Sequence, residues 1–241
     1  FRKHNVNSMK DLILIKKGLE KKVLETENID ININNKKERL TALKIKLNGL
    51  SKKIRRSREK VIPILKGKME NLLKEMGMLN ILFKIELQDS RIFLKKGKDN
   101  LIFNFSANKG APLGPLNKTA SGGELSRIML ALKYILSNYK NLPTIVFDEI
   151  DTGVSGEIAS SVGRLMKNMS KNLQVISITH LPQVAAKANN QLKVFKIVKN
   201  KKTSTEIKNL NFKERVSEIA SMLSGEQTAE SAYDLAKELL N

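Results

Sequence analysis

An α/β lobe carrying a helical arm is the fold class this sequence predicts, and three observations predict it. Apolar residues near the N-terminus recur at helical spacings of three and four, whereas beyond Met76 they alternate in short runs that read as strands. Two such runs, Thr144–Phe147 and Leu173–Thr179, flank a helical pattern from Gly156 to Met169, which makes a strand-helix-strand unit opening on one edge of a parallel sheet. The 241 residues are 41% hydrophobic, enough to bury a core, and they contain no cysteine. A disulfide scaffold and any cysteine-ligated zinc or iron-sulfur site are therefore excluded.

The arm is read over residues 1–75. Leu40, Leu43, Leu47, Leu50 and Ile54 lie on one helical stripe that Val61 extends, and Leu12, Ile15 and Leu19 form a shorter stripe of the same kind. Such a stripe suits either the seam of an antiparallel coiled coil or the buried side of an ordinary amphipathic helix. The Asn- and Ile-rich stretch Asn28–Asn35 separates the two stripes, and Pro63 and Gly67 oppose continuous helix, because proline lacks an amide donor and crowds the preceding turn. The expectation is an interrupted helical arm.

Charge concentrates in the same segment. The chain has 44 Lys and Arg against 24 Asp and Glu, a formal net charge of +20, and residues 1–75 hold 21 of the cations but only 9 of the acids. A polyanionic partner follows from that excess, partly offset by a general bias toward lysine and asparagine. Lys52, Lys53, Arg55, Arg56 and Arg58 form the densest cluster, a candidate grip on DNA phosphates or else a solvated helix face. No zinc finger or recognition helix is present, so any DNA binding is expected through the phosphate backbone.

Residues 76–241 form the lobe. Ile81, Phe83, Ile85 and Leu87 alternate with Leu82, Lys84 and Glu86, and Leu101–Phe105 follows, so both read as strands. The Gly- and Pro-rich stretch Asn108–Pro115 is a loop, after which Ser121-Gly-Gly-Glu124 opens a helix running to about Ser137. Glycines at a helix start let the backbone approach an anion, whose charge the free amides and helix dipole favour; Ser121 adds a hydroxyl.

The apolar strand Thr144–Phe147 delivers two consecutive carboxylates, Asp148 and Glu149. Adjacent strand residues face opposite sides, so the two can do different work: Asp148 holding Mg2+, Glu149 polarising an attacking water as general base. His180 ends the second strand and so returns to the same sheet edge, where an imidazole can donate to a terminal phosphate.

These residues resemble the ABC-type ATPases: Ser121–Glu124 the signature motif, Ile145–Glu149 the Walker B strand, Asp151–Gly156 the D-loop and Thr179-His180 the switch histidine. The longer strings Ala120–Lys133, Phe147–Gly156, Ile178–Ala185 and Arg215–Gly225 are similar to the RecN family of SMC-like ATPases of bacterial DNA repair. The resemblance implies the C-terminal lobe of an ABC-type P-loop ATPase head, using ATP and Mg2+ in double-strand break repair and recombination. It further implies that Asp148, Glu149 and His180 complete the ATP site of their own head, while the signature residues Ser121, Gly122, Gly123 and Glu124 act across a dimer of two heads; Asp151 belongs to the nucleotide-binding D-loop.

No G-x-x-x-x-G-K-[ST] phosphate loop occurs in the sequence, so the implied partners are an N-terminal RecN-like lobe bearing it, a second ATPase head, and DNA. The expected ATPase is inactive alone. Alternatives are another ABC-type ATPase, such as a transporter engine, or a non-catalytic DNA-binding or assembly module. No run approaches about 18 uncharged apolar residues, so a membrane role is not expected and the chain reads as cytoplasmic and nucleoid-associated. The tail reads as a hairpin, Gln191–Val198 with Thr203–Asn209 through the lysine-rich turn at 199–202, then helices at Phe212–Leu223 and Thr228–Leu240.

Overall fold

The computed structural model describes residues 8–108, 110–139, 142–199, 202–225 and 229–241. Helix α1 (Met9–Glu75) is continuous for 67 residues with Pro63 inside it. The expected interruption is therefore corrected. Proline removes one amide from the ladder, but the turns on both sides of it are anchored: Met69 and Leu73 beyond it are fully buried, and Ile62 before it and Leu65 and Leu72 after it pack on the same core. The Asn28–Asn35 stretch is helical too, and its Ile29, Ile31 and Ile33 are all exposed; Ile29 and Ile33 fall on the seven-residue spacing of Ile15 with Leu43 and of Leu19 with Leu40, so they bridge the two stripes, while Ile31 lies on the opposite side.

The chain divides into two compact units. The first takes in the chain to Glu59 together with Asp89–Asn100; the second comprises Lys60–Gln88 and Leu101–Asn241. Strands β1 (Leu82–Leu94) and β2 (Gly97–Ser106) form a hairpin that contributes to both, and β2 pairs antiparallel with the two-residue strand β3 (Gly114–Pro115).

Within the first unit, the hairpin tip is fastened to α1 by charge. The Asp99 side chain is 3% exposed and accepts from Arg55 Nη1 at 2.7 Å and Arg58 Nη1 at 3.0 Å. Arg55 also pairs with Asp89 and, through Nε, with Glu59 at 3.1 Å, while Arg58 Nη2 donates to the Lys96 carbonyl at 2.6 Å. Gly97 supplies the left-handed turn, at φ +112°, where the tip approaches Ile54.

Within the second unit, the core forms where the base of α1 meets the sheet and the helices α3 (Gly122–Ser137) and α4 (Gly156–Met169). Phe83 and Phe105 stack edge-on with centroids 6.4 Å apart, among Met69, Leu73, Ile128, Leu130, Val162 and Met169. The short α2 (Leu116–Thr119) precedes α3. Strands β4 (Thr144–Asp148) and β5 (Gln174–Ile178) pair in parallel from Thr144↔Gln174 to Asp148↔Ile178, with α4 between them in sequence, as the strand-helix-strand pattern predicts. Ile145, Phe147 and Val175 face the core. Their neighbours do not: Val146, Ile176 and Ile178 are 59%, 44% and 53% exposed, an uncovered apolar sheet face.

A satellite core of Ala185, Ala186, Val216, Ile219, Ala220, Ala232 and Ala236 joins α5 (Pro182–Ala185), α6 (Phe212–Ser224) and α7 (Glu230–Leu240). Between them, β6 (Leu192–Lys199) and β7 (Lys202–Asn209) form the expected antiparallel hairpin, in register from Leu192↔Asn209. Its central turn at 200–201 lies outside the described residues, as does Thr228 at the start of the predicted last helix. Leu192, Val194, Val198 and Ile207 leave one face of the hairpin apolar and exposed.

Candidate nucleotide site

Three segments of the second unit carry the site. The first is the turn into α3. Ser121 is its N-cap in a reciprocal capping box: the Glu124 amide donates to Ser121 Oγ at 3.4 Å, and the Ser121 amide donates to Glu124 Oε2 at 2.8 Å. Gly122 is exposed. Gly123 makes a close approach, since a Cβ there would lie 3.3 Å from the Thr152 carbonyl, tighter than ordinary van der Waals contact. The signature-like turn thus abuts the loop that follows β4.

That loop is the second segment. Asp148 ends β4 and Glu149 follows it, both exposed to solvent. Glu149 has φ 45°, the only non-glycine residue with positive φ among those described. A left-handed backbone at a residue with a Cβ costs about 1–2 kcal/mol and persists only where the surroundings enforce it. The enforcement is visible: the Glu149 amide donates to the Ile178 carbonyl at 3.0 Å, and the Thr152 amide and hydroxyl both donate to the Glu149 carbonyl, at 3.2 and 2.8 Å. Asp151 differs from its acidic neighbours. It is 1% exposed, and one carboxylate oxygen accepts from the Thr179 hydroxyl.

The third segment follows β5. His180 is exposed two residues beyond Ile178, the register partner of Asp148, so the imidazole and both exposed carboxylates stand at the same end of the parallel pair. Thr179 Oγ accepts the Leu181 amide at 3.0 Å. Sequence reading assigned no role to Thr179 or Thr152 beyond their motifs; the one signal for Thr179 is its place between a strand and the histidine.

Among the described residues no group of three or more His, Cys, Asp or Glu converges as a metal cage. Magnesium does not need one. It is commonly held by one or two carboxylates, with substrate phosphates and waters completing its shell, and the exposed Asp148 fits that arrangement.

The basic cluster on α1 separates into two kinds of residue. Arg55 and Arg58 are committed to Asp99 and the hairpin tip, on the side where Ile54 meets Gly97. Lys52, Lys53 and Arg56 are exposed and lie about 160°, 100° and 160° around the helix from Ile54, away from the hairpin tip.

The fold is that of an ABC-type ATPase head with a long N-terminal helix consistent with a coiled-coil arm. It matches the Smc head domain with a coiled coil and joint from Pyrococcus yayanosii with TM-score 0.58 and 18% identity, over 89% of this chain and 39% of that one. The Smc head domain with an extended coiled coil bound to the C-terminal domain of ScpA, from Pyrococcus furiosus, matches with TM-score 0.54 and 18% identity, over 88% and 51%. At that identity the likeness is one of fold.

The family described as RecF/RecN/SMC N terminal domain matches residues 3–204, and the chain belongs to it. The DNA repair protein RecN of Rickettsia conorii is 38% identical over 240 residues, covering 100% of this chain and 44% of that protein. The DNA repair protein RecN of Vibrio cholerae is 41% identical over 189 residues, covering 78% and 34%. The chain therefore spans less than half the length of these curated relatives. Among the described residues no helix is long and apolar enough to cross a membrane.

Proposed function

We propose that this chain is the C-terminal half of a RecN-like ATPase acting in DNA double-strand break repair and recombination, in the cytoplasm and at the nucleoid. The observation that carries the proposal is the parallel register of β4 and β5, which sets Asp148, Glu149 and His180 at one end of the sheet beside the loop that meets Gly123. Bound magnesium would neutralise charge on the ATP phosphates, with Asp148 as its protein ligand. Glu149 accepts the proton of the attacking water, and His180 donates to the terminal phosphate. Ser121, Gly122, Gly123 and the amides of the first turn of α3 offer donors to the phosphate held by a second head, with Glu124 spent on fixing the turn. Asp151 belongs to the loop that lines the nucleotide.

Two uncovered apolar surfaces support an N-terminal lobe as the missing partner. Val146, Ile176 and Ile178 on the sheet, and Leu192, Val194, Val198 and Ile207 on the hairpin, are larger exposures than a finished core leaves. The relatives' additional length is the natural source of that cover. Lys52, Lys53 and Arg56 offer contacts to DNA phosphates.

The test is magnesium-dependent ATP turnover by this chain alone and mixed with a separately produced N-terminal half. Turnover only in the mixture is the expected result. An assembled mixture that binds DNA but never hydrolyses ATP would overturn it in favour of a non-catalytic module.

A further inference from the structure

Asp151 is an acid buried where burial has no evident benefit to stability. It is 1% exposed, its Oδ1 has no hydrogen-bond partner, and its Oδ2 takes the Thr179 hydroxyl. A buried carboxylate with an unsatisfied oxygen is costly, and an apolar residue would fill the same space without that cost. What the acid does accomplish is a cross-tie. Thr179 immediately precedes His180, and its Oγ also receives the Leu181 amide at 3.0 Å, so a single hydroxyl is gripped from both sides of the histidine turn. Asp151 lies two residues past Glu149, in a turn closed by the Thr152 amide on the Glu149 carbonyl at 3.2 Å. The same loop receives Gly123 against the Thr152 carbonyl.

We infer that Asp151 and Thr179 form a positioning pair that locks the Glu149 loop to the His180 turn, setting the separation of base and histidine without touching substrate. This assigns Asp151 a role inside its own lobe, and it rests on the ATPase reading only for its effect on turnover. The backbone bond from Glu149 to Ile178 ties the strand ends; the side-chain pair ties the two loops beyond them. Loss of the hydroxyl therefore loosens the loops while the paired strands stay intact.

Two variants separate the hydrogen bond from packing. Thr179→Val keeps the branched shape and removes the hydroxyl; Thr179→Ser keeps the hydroxyl and removes a methyl. Two quantities are read: ATP turnover of the mixed halves, and the imidazole NMR signals of this chain labelled at histidine. The sequence has two histidines, and His180→Ala assigns the signal. Expected for Thr179→Val is a fall in kcat of roughly tenfold to a hundredfold, with KM for ATP little changed, and a displaced or broadened His180 signal. Thr179→Ser stays close to the parent on both. A Val variant matching the parent in both readings, or a Ser variant as impaired as Val, would overturn the inference. Should Thr179→Val fail to fold, Thr179→Ala reads the same two quantities against Ser. If the parent mixture never hydrolyses ATP, the ATPase reading falls, while the His180 signal still decides the pair.

Discussion

Glu149 donates its amide to the carbonyl of Ile178 across 3.0 Å, at the end of the strand pair and with its own backbone left-handed at φ 45°. The bond ties the proposed base to the strand that delivers His180 and holds a conformation that an isolated glutamate avoids. Two substitutions pull the side chain and the backbone apart. Glu149→Gln preserves shape and removes the proton acceptor, so turnover of the mixed halves should fall by about 10²–10⁴ while ATP-dependent association persists. Glu149→Gly also abolishes turnover, but relieves the backbone, and should be about 1 kcal/mol more stable than Glu149→Ala in denaturant titrations of the chain. Equal stability of the Gly and Ala variants would refute the strain.

Arg215 staples the tail to the lobe without a carboxylate. Its guanidinium donates to the carbonyls of Ala188 at 2.8 Å, Ala186 at 3.3 Å and Asn189 at 3.4 Å, and to Gln191 Oε1 at 3.3 Å. Burial pushes its pKa below the usual guanidinium range, yet arginine remains charged throughout the working range. Arg215→Ala leaves several carbonyls unpaired and should cost about 1.5–3 kcal/mol, with Arg215→Lys recovering only part, because an ammonium cannot reproduce the fork. Urea titration of the three proteins checks this.

Glu214 makes the start of α6 sensitive to acid. Lys208 Nζ donates to its Oε1 at 2.5 Å, the Asn211 amide to its Oε2 at 3.0 Å, and these two bonds hold the carboxyl below the ordinary glutamate range. A depressed folded pKa adds stability that is present above the unfolded value, near 4.3, and is lost as pH falls through the folded value. Glu214→Gln keeps the capping acceptor without the charge. The stability difference between parent and variant should therefore be constant near neutral pH and shrink in the acid limb below about pH 4. A difference that is independent of pH throughout would contradict the ion pair.

Much of this architecture was legible because it rests on local patterns. Gly156–Met169 reads as a crossover helix and forms one over those residues, and the alternation at Ile81, Phe83 and Ile85 matches three buried side chains in the structure. Pro63 misled because its cost is local, while the burial of Met69 and Leu73 that carries α1 onward comes from residues far along the chain. Arg55 and Arg58 read as free cations for the same reason: Asp99 reaches them from 44 and 41 positions away. The burial of Asp151 was equally invisible, since an acid in a loop after a strand ordinarily faces water. Motif spelling located the loop; only the fold separates its exposed acids from its buried one.

The basic cluster on α1 yields the last prediction, because the structure gives its five cations different work. Lys52, Lys53 and Arg56 are exposed, whereas Arg55 and Arg58 hold Asp99, 3% exposed, at the hairpin tip. Each phosphate contact by an exposed cation contributes about 0.9 to the slope of log affinity against log salt. Replacing Lys52, Lys53 and Arg56 together by Gln should therefore weaken duplex binding and flatten that slope by up to about three, without altering the hairpin. Asp99→Asn should do the reverse. It weakens two charge-assisted bonds, costing about 1.5–3 kcal/mol locally, and accelerates amide exchange in residues 89–100, yet it leaves the exposed cations and their salt slope in place. A slope that drops with Asp99→Asn but not with the triple variant would move DNA contact from the exposed face of α1 to the hairpin tip.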